Sequence, residues 1–304
     1  MTVLHPAYLP FSAEQLRTHF APVGGGGGNP DLHLAYYRLS ARRYLDYKKN
    51  MPAGPPLAVA KYIRFARQIE KDERFWIVTL LLRAYYSADR RPALRTLLSM
   101  ALGATPPFPG CATWDEALGE QPVIYFEVNL PSPPSYRAWL RGRLEQQILV
   151  PYILEAASIK KERLEGATKA DAMIIAPDTG FAAIFEAKVL SDTSTQTSYD
   201  STRNQIARSI DVLLDSNPQL RGGLERRDPQ RSCFVLVTPR LFHANPSSRL
   251  YGWLMRDYRT GTELLARHLP HRIGQLDGVP QRLGWITWED CNDAIPNGCP
   301  WLPS

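Results

Sequence analysis

Three ionisable side chains stand inside sequence that otherwise reads as strand. In KADAMIIAPDTGFAAIFEAKVL, residues 169–190, Asp171 precedes one apolar run, and Glu186 and Lys188 close a second. Charged side chains are rarely buried unless they are paired or hold a metal. Between the runs lies APDTG, whose Pro177, Asp178 and Gly180 are turn formers, so the stretch predicts a β-hairpin over about 171–176 and 181–190. If Pro177 and Gly180 bracket the turn, the numbers of facing residues add to 357, and Asp171 faces Glu186. Facing side chains have Cβ atoms about 4.5–5.5 Å apart on one face of a sheet. Alternation puts Lys188 on the same face as Glu186. The register therefore predicts two carboxylates and an ammonium in one patch.

Opposed like charges destabilise a strand pair, so a proton, the lysine or a divalent cation must offset them. Mg²⁺ is a hard cation that takes one or two carboxylates and fills its octahedron with water and substrate phosphate. So held, it polarises a phosphodiester and promotes a hydroxide nucleophile. A neighbouring lysine can orient or deprotonate that water and counter charge in the transition state. The simpler alternative is a structural Glu–Lys–Asp salt-bridge patch at a strand end.

Asp171 followed by Glu186-Ala187-Lys188 resembles the D…(D/E)xK core of the PD-(D/E)xK, or restriction-endonuclease-like, nuclease superfamily. The resemblance spans residues 136–240. It implies that Asp171 and Glu186 bind Mg²⁺, for which Mn²⁺ could substitute, that Ala187 lends its carbonyl, and that Lys188 handles the water. Ala170 stands where the family has proline. The literal Pro177-Asp178 pair is a decoy, with Asp178 at the turn tip roughly 20 Å from Glu186. The superfamily often adds a glutamate from the helix ahead of the hairpin, and GRLEQQILVPYILEAAS points to Glu145. Glu155, about 80° away around the helix, is the rival. After the hairpin, NQIARSID offers Gln205 and Arg208 near the cleft, although Ser209 occupies the tyrosine position of the Gln-x-x-x-Tyr helix of exonuclease-like members.

The elements that would position these residues come in a definite order. A helix capped by Ser135, SYRAWLRGRLEQQILVPYILEAAS, precedes the hairpin. A Ser/Thr-rich loop, the helix RNQIARSIDVLLDS, the strand CFVLVTP, the helix SSRLYGWLMRDYRTGTELLARHL and the closing strand–helix LGWITWEDCNDAI follow. This order predicts an α/β fold, a mixed central sheet flanked by helices, over residues 131–304. Residues 1–130 read as a basic, mainly helical region, with helices over 31–50 and 57–104 and one strand, PVIYFEVNL. GGGGGNP reads as a spacer, because no strand precedes it and no Gly-Lys-Ser/Thr follows.

Charge is segregated along the chain. The net charge is +6, but residues 1–110 carry 15 of the 36 Lys+Arg and only 7 of the 30 Asp+Glu. That asymmetry suits a polyanionic partner. Lys61, Arg64, Arg67 and Lys71 recur along one side of the expected helix, a stripe that fits a phosphate backbone. No apolar run approaches the ~18 residues of a membrane span, and the N-terminus lacks the pattern of a secretory signal. The four cysteines have no CxxC spacing, as expected of reduced thiols in a cytoplasmic protein. The expectation is a Mg²⁺-dependent deoxyribonuclease, with internal cleavage favoured over exonucleolytic and a place in defence or repair. RNA is not excluded as substrate, and a homodimer is compatible with it. The alternative is an inactive nuclease-fold protein that binds nucleic acid or acts as a scaffold.

Overall fold

A five-stranded mixed sheet organises the chain. The computed structural model describes residues 3–20, 29–50, 67–195 and 199–302, the side chain of Glu162 excepted. Strands β1 (Val3–His5) and β2 (Leu9–Ser12) form a small antiparallel ribbon. The main sheet runs in chain order through β3 (Val123–Leu130), β4 (Thr168–Ala176), β5 (Phe181–Ala187), β6 (Ser232–Thr238) and β7 (Leu283–Thr287). The first three strands pair antiparallel, whereas β5, β6 and β7 pair in parallel. The expected mixed sheet flanked by helices is therefore present.

The hairpin register agrees with the turn chemistry. Ala172 pairs with Phe185, and Ala176 with Phe181, each sum being 357. Gly180 adopts φ 76°, a left-handed conformation that costs glycine little and other residues more. A Cβ there would also lie 3.2 Å from the Cβ of Asp228.

Each sheet face carries its own helical layer. The Glu73–Tyr85, Arg90–Leu102 and Trp288–Ala294 helices cover one face, with Phe75, Leu98 and Trp288 packed among Ile174, Phe185 and Val237. The Gln205–Leu213 and Leu250–Thr260 helices cover the other, with Ile206, Ile210 and Met255 against Met173, Ile184 and Leu236. Arg90–Leu102 docks through one stripe, Leu94, Leu97, Leu98 and Ala101, whereas Glu73–Tyr85 is buried almost all round, from Phe75 through Leu82. Strand β3, from the stretch assigned by sequence to the N-terminal region, belongs to the same sheet as the hairpin.

Several expected helices are shorter than their periodicity suggested. The helix over 136–158 is three pieces, Pro134–Arg141, Leu144–Gln147 and Pro151–Ile159. Gly142 caps the first, and Pro151, which has no N–H to donate, begins the third. The helix expected over 247–269 divides at Gly261 into Leu250–Thr260 and Glu263–His268. Pro30–Asn50 is helical as expected. The 57–104 segment holds the Gln68–Lys71, Glu73–Tyr85 and Arg90–Leu102 helices, while residues 51–66, with Lys61 and Arg64, lie outside the described residues, as does the glycine run 24–28. All four cysteines are free, and no described helix is long and apolar enough to cross a membrane.

Candidate active site

Asp171, Glu186 and Lys188 meet at the carboxyl end of β5, where the sheet changes from antiparallel to parallel pairing. Crevices at such ends are the usual ligand sites of open α/β sheets. The ladder between β4 and β5 ends at Ala172–Phe185, and one step beyond it the Asp171 carboxylate takes over a backbone role, accepting from the Ala187 N–H at 2.8 Å. Lys188 is pinned through its main chain. Its N–H donates to the Val237 carbonyl at 2.9 Å, and its carbonyl accepts from the Trp288 indole at 2.9 Å. The ammonium is thus held on the sheet rather than left on a mobile strand end.

Glu186 is buried, and its two oxygens differ. Oε1 accepts from Lys188 Nζ at 2.6 Å and from Gln205 Nε2 at 2.5 Å. Oε2 is buried without a hydrogen-bond partner. Gln205 completes the bridge, because its Oε1 also accepts from Lys188 Nζ at 3.3 Å and from the Ser194 N–H at 3.3 Å. It is the first residue of the Gln205–Leu213 helix, whose N-cap Asn204 accepts from the Ala207 N–H at 2.9 Å. The sequence put Gln205 near nucleic acid, and the structure seats it on the acid and the lysine themselves.

A third carboxylate, absent from the sequence reading, lies across β4. Phe126 pairs with Ala172 and Val128 with Ala170, each sum being 298, which sets Glu127 opposite Asp171. Glu127 has φ 55°, unusual for a residue other than glycine, and its side chain is buried against Lys169. The face alternation inverts at this point. Ile124 and Phe126 pack with the N-terminal helices, whereas Val128 and Leu130 join the opposite layer. Glu127, Asp171 and Glu186, from β3, β4 and β5, therefore crowd one end of the sheet, and after burial the charges of the other two raise the Asp171 carboxyl. Outside them is a polar cleft of about 480 Å³ that Asp171, Glu127 and Lys169 line together with Lys71, Asp72, Glu73 and Arg74.

Electrostatics follow from this crowding. Burial, and then the Glu186 charge, raise the Asp171 pKa well above the ordinary carboxylate value. Burial also raises Glu186, with Lys188 opposing the shift. Burial alone would lower Lys188, but Glu186 and Asp171 outweigh it and hold the amine above its ordinary value, as an ammonium. Two lysines thus answer these acids, Lys188 at Glu186 and Lys169 at Glu127.

The remaining expected site residues are dispersed. Glu145 is exposed on the Leu144–Gln147 helix and borders a different hollow, away from Asp171; Glu155 is likewise exposed. Helix breakage at Gly142 and Pro151 separates both from the geometry their periodicity assumed. Lys71 does line the cleft, whereas Arg67 is ion-paired with Glu70 and Arg208 with Glu165 at 3.1 Å. Asp178 is structural, accepting from the Glu120 N–H at 3.1 Å.

Among the described residues, no group of three or more His, Cys, Asp and Glu side chains converges as a ready metal cage. A hard cation needs less from the protein: two carboxylates, a carbonyl and water suffice. Asp171, Glu186 with its unpartnered Oε2, and the Ala187 carbonyl fit that donor chemistry. Compared with known proteins, the chain matches no family model, no curated protein and no solved structure.

Proposed function

We propose that the chain is a metal-dependent nuclease that hydrolyses phosphodiester bonds in DNA. The observation that carries this reading is that Asp171, which lines a polar cleft, accepts from the Ala187 N–H next to Glu186, with Lys188 bound to Glu186. The arrangement resembles the PD-(D/E)xK constellation, and the hairpin followed by two parallel strands suits such a core. Asp171, Glu186 and the Ala187 carbonyl would hold Mg²⁺ or Mn²⁺. When bound, the ion supplies Lewis-acid polarisation of the phosphate and acidifies a water molecule.

The chain's own groups have separable tasks. The Ala187 N–H fixes one Asp171 oxygen, and Asp171 lines the cleft. Gln205 and Lys188 together fix Glu186 Oε1 and leave Oε2 available. Lys188 is protonated in this setting, so it suits orienting a water molecule and countering transition-state charge better than removing a proton. Arg74 is paired with Asp72 and Lys169 with Glu127, and both lysines, Lys71 and Lys169, border the cleft where phosphate would enter.

Plasmid and oligonucleotide cleavage in Mg²⁺ or Mn²⁺, with RNA as a parallel substrate, tests the proposal. DNA should be cut, and Lys188→Ala and Asp171→Asn should each lower the rate by about a hundredfold or more. Wild-type protein as inert as both variants under all of these conditions would sink it.

A further inference from the structure

The segment between β3 and β4 has no task in the chemistry described above. Leu130 pairs with Thr168, so residues 131–167 leave and re-enter the sheet at one point, three residues from Glu127 and Asp171. That end of the sheet is also where β5, β6 and β7 terminate. The insertion therefore stands as a wall at the end that bears the acids.

It is bonded to the loop that links Lys188 to Gln205. The Ser201 N–H donates to the Gln147 carbonyl at 3.1 Å, and Thr202 Oγ1 to Gln147 Oε1 at 3.1 Å. Tyr136 donates to Asp200 at 2.9 Å and lies under the Arg203 guanidinium, 3.5 Å from its ring centre. Tyr136, Leu140, Leu144 and Ala157 share a small core onto which Tyr199 packs. A ligand on this wall would consequently rest on the frame that positions Lys188 and Gln205.

The outer surface is cationic and apolar together. One hollow of about 660 Å³ is lined by Lys160, Lys161 and Arg163 with Ile159 and Tyr199. An adjoining hollow of about 330 Å³ shares Lys161 and adds Arg141 and Arg143. None of Arg143, Lys160, Lys161 and Arg163 is ion-paired with a carboxylate among the described residues. Ile159, in the first hollow, is 80% exposed, and Leu149 and Tyr152 on the same insertion are 83% and 72% exposed. Interleaved cations and large apolar groups are what a nucleic-acid backbone with partly unstacked bases requires. A self-association face would instead be depleted of lysine at its centre.

From this placement we infer that the 131–167 insertion is the DNA-binding wall of the protein. Arg143, Lys160, Lys161 and Arg163 grip backbone phosphates, while Tyr152 and Ile159 pack against bases or sugars. The inference rests on the nuclease reading for its choice of partner, but binding can be measured without cleavage.

The test is fluorescence anisotropy in EDTA, where no cation supports hydrolysis, with duplex and single-stranded oligonucleotides of equal length and the full chain. Arg143→Glu, Lys160→Glu, Lys161→Glu and Arg163→Glu combined should weaken binding more than a hundredfold and flatten the log–log salt slope by about 3–4 units, near 0.9 for each lost phosphate contact. Lys160→Gln with Lys161→Gln, a milder pair that spares the fold, should weaken binding at least tenfold. Tyr152→Ala with Ile159→Ser should weaken single-strand binding more than duplex binding. An equal reversal on the Pro30–Asn50 helix, at Arg38, Arg42, Arg43 and Lys49, should have the smaller effect. Three results would overturn the inference: no DNA binding by wild type, a larger loss from the helix reversals, or a dimer in sedimentation that Tyr152→Asp dissociates. DNA held through this wall but never cut would leave the inference standing and remove the nuclease reading.

Discussion

Asp171 and Glu186 are held at one end of the sheet at a cost that Lys188 only partly offsets. Each carboxylate is raised by burial, and Asp171 further by its neighbour. A group whose folded pKa lies above its unfolded value favours the folded state most below the unfolded value, and that contribution is lost as pH rises through the folded one. In EDTA, Asp171→Asn keeps an oxygen to accept from the Ala187 N–H and deletes the charge. It should therefore melt above wild type at pH 7–8, and the gap should close as pH falls toward the ordinary aspartate value of 3.8. Addition of Mg²⁺ should reverse the ranking, since a cation at a hundred times its Kd stabilises the form that binds it by about 2.7 kcal/mol. Thermal melts across pH, with and without Mg²⁺, check both halves. A variant that melts below wild type in EDTA and gains equally from Mg²⁺ would mean the acids are neutralised in some other way. Calorimetric titration should show Mg²⁺ affinity lost in the same variant.

At the scale of elements, the Gln205–Leu213 helix is the piece whose position matters most to the site. Its second turn is anchored by Asp211, fully buried between Arg203 at 2.7 Å, Arg272 at 2.8 Å and His271 at 2.9 Å. Burial pushes this carboxyl up, but the His271 hydrogen bond and the two guanidinium charges outweigh it and hold the pKa at about 2. Asp211→Ala leaves Arg203 with Glu165 alone at 3.1 Å and Arg272 with Asp215 alone at 3.6 Å, and should cost about 3 kcal/mol. In denaturant titrations the wild type should lose this contribution as pH falls from about 4 through 2, and the variant should not. A cost below 1 kcal/mol would mean that the cations relax into solvent. What the sequence disclosed follows the same scale. The hairpin register from Ala172–Phe185 to Ala176–Phe181 was legible because a four-residue turn links the strands, and turn chemistry sets a local register. Glu127 was not, because its meeting with Asp171 requires pairing across a 37-residue insertion, and no local pattern encodes that. Glu145 was misplaced because apolar periodicity continues through Gly142 and Pro151, where the backbone does not. Gln205 carried a usable signal, being the first helical residue after the hairpin, but only the fold could show that its amide bridges Glu186 and Lys188.

For the molecule as a whole, the sequence division at residue 130 meets a core that runs across it. Phe11, Leu34, Phe75 and Leu98 from the N-terminal part share one hydrophobic cluster with Ile174, Phe185, Val235 and Trp288 of the sheet layer. Strand β3 ends at Leu130 and donates its whole ladder to β4. A chain begun at residue 131 would lose an edge strand and keep only the Trp288–Ala294 helix over one face of β4, β5 and β6, where Phe181 and Val237 are now fully buried. At about 25 cal/mol per Å² of apolar area, exposing several such side chains costs 1.5–3 kcal/mol each, more than the usual total stability of a domain. The 131–304 fragment should therefore be insoluble or bind hydrophobic dye strongly, and the full chain should unfold in a single calorimetric transition whose van't Hoff and calorimetric enthalpies agree. A soluble fragment with sharp tertiary circular dichroism, or two resolved transitions in the full chain, would show that the 131–304 part stands alone. In that event the polar residues Lys71, Asp72 and Glu73 would be additions to a finished site rather than one of its walls.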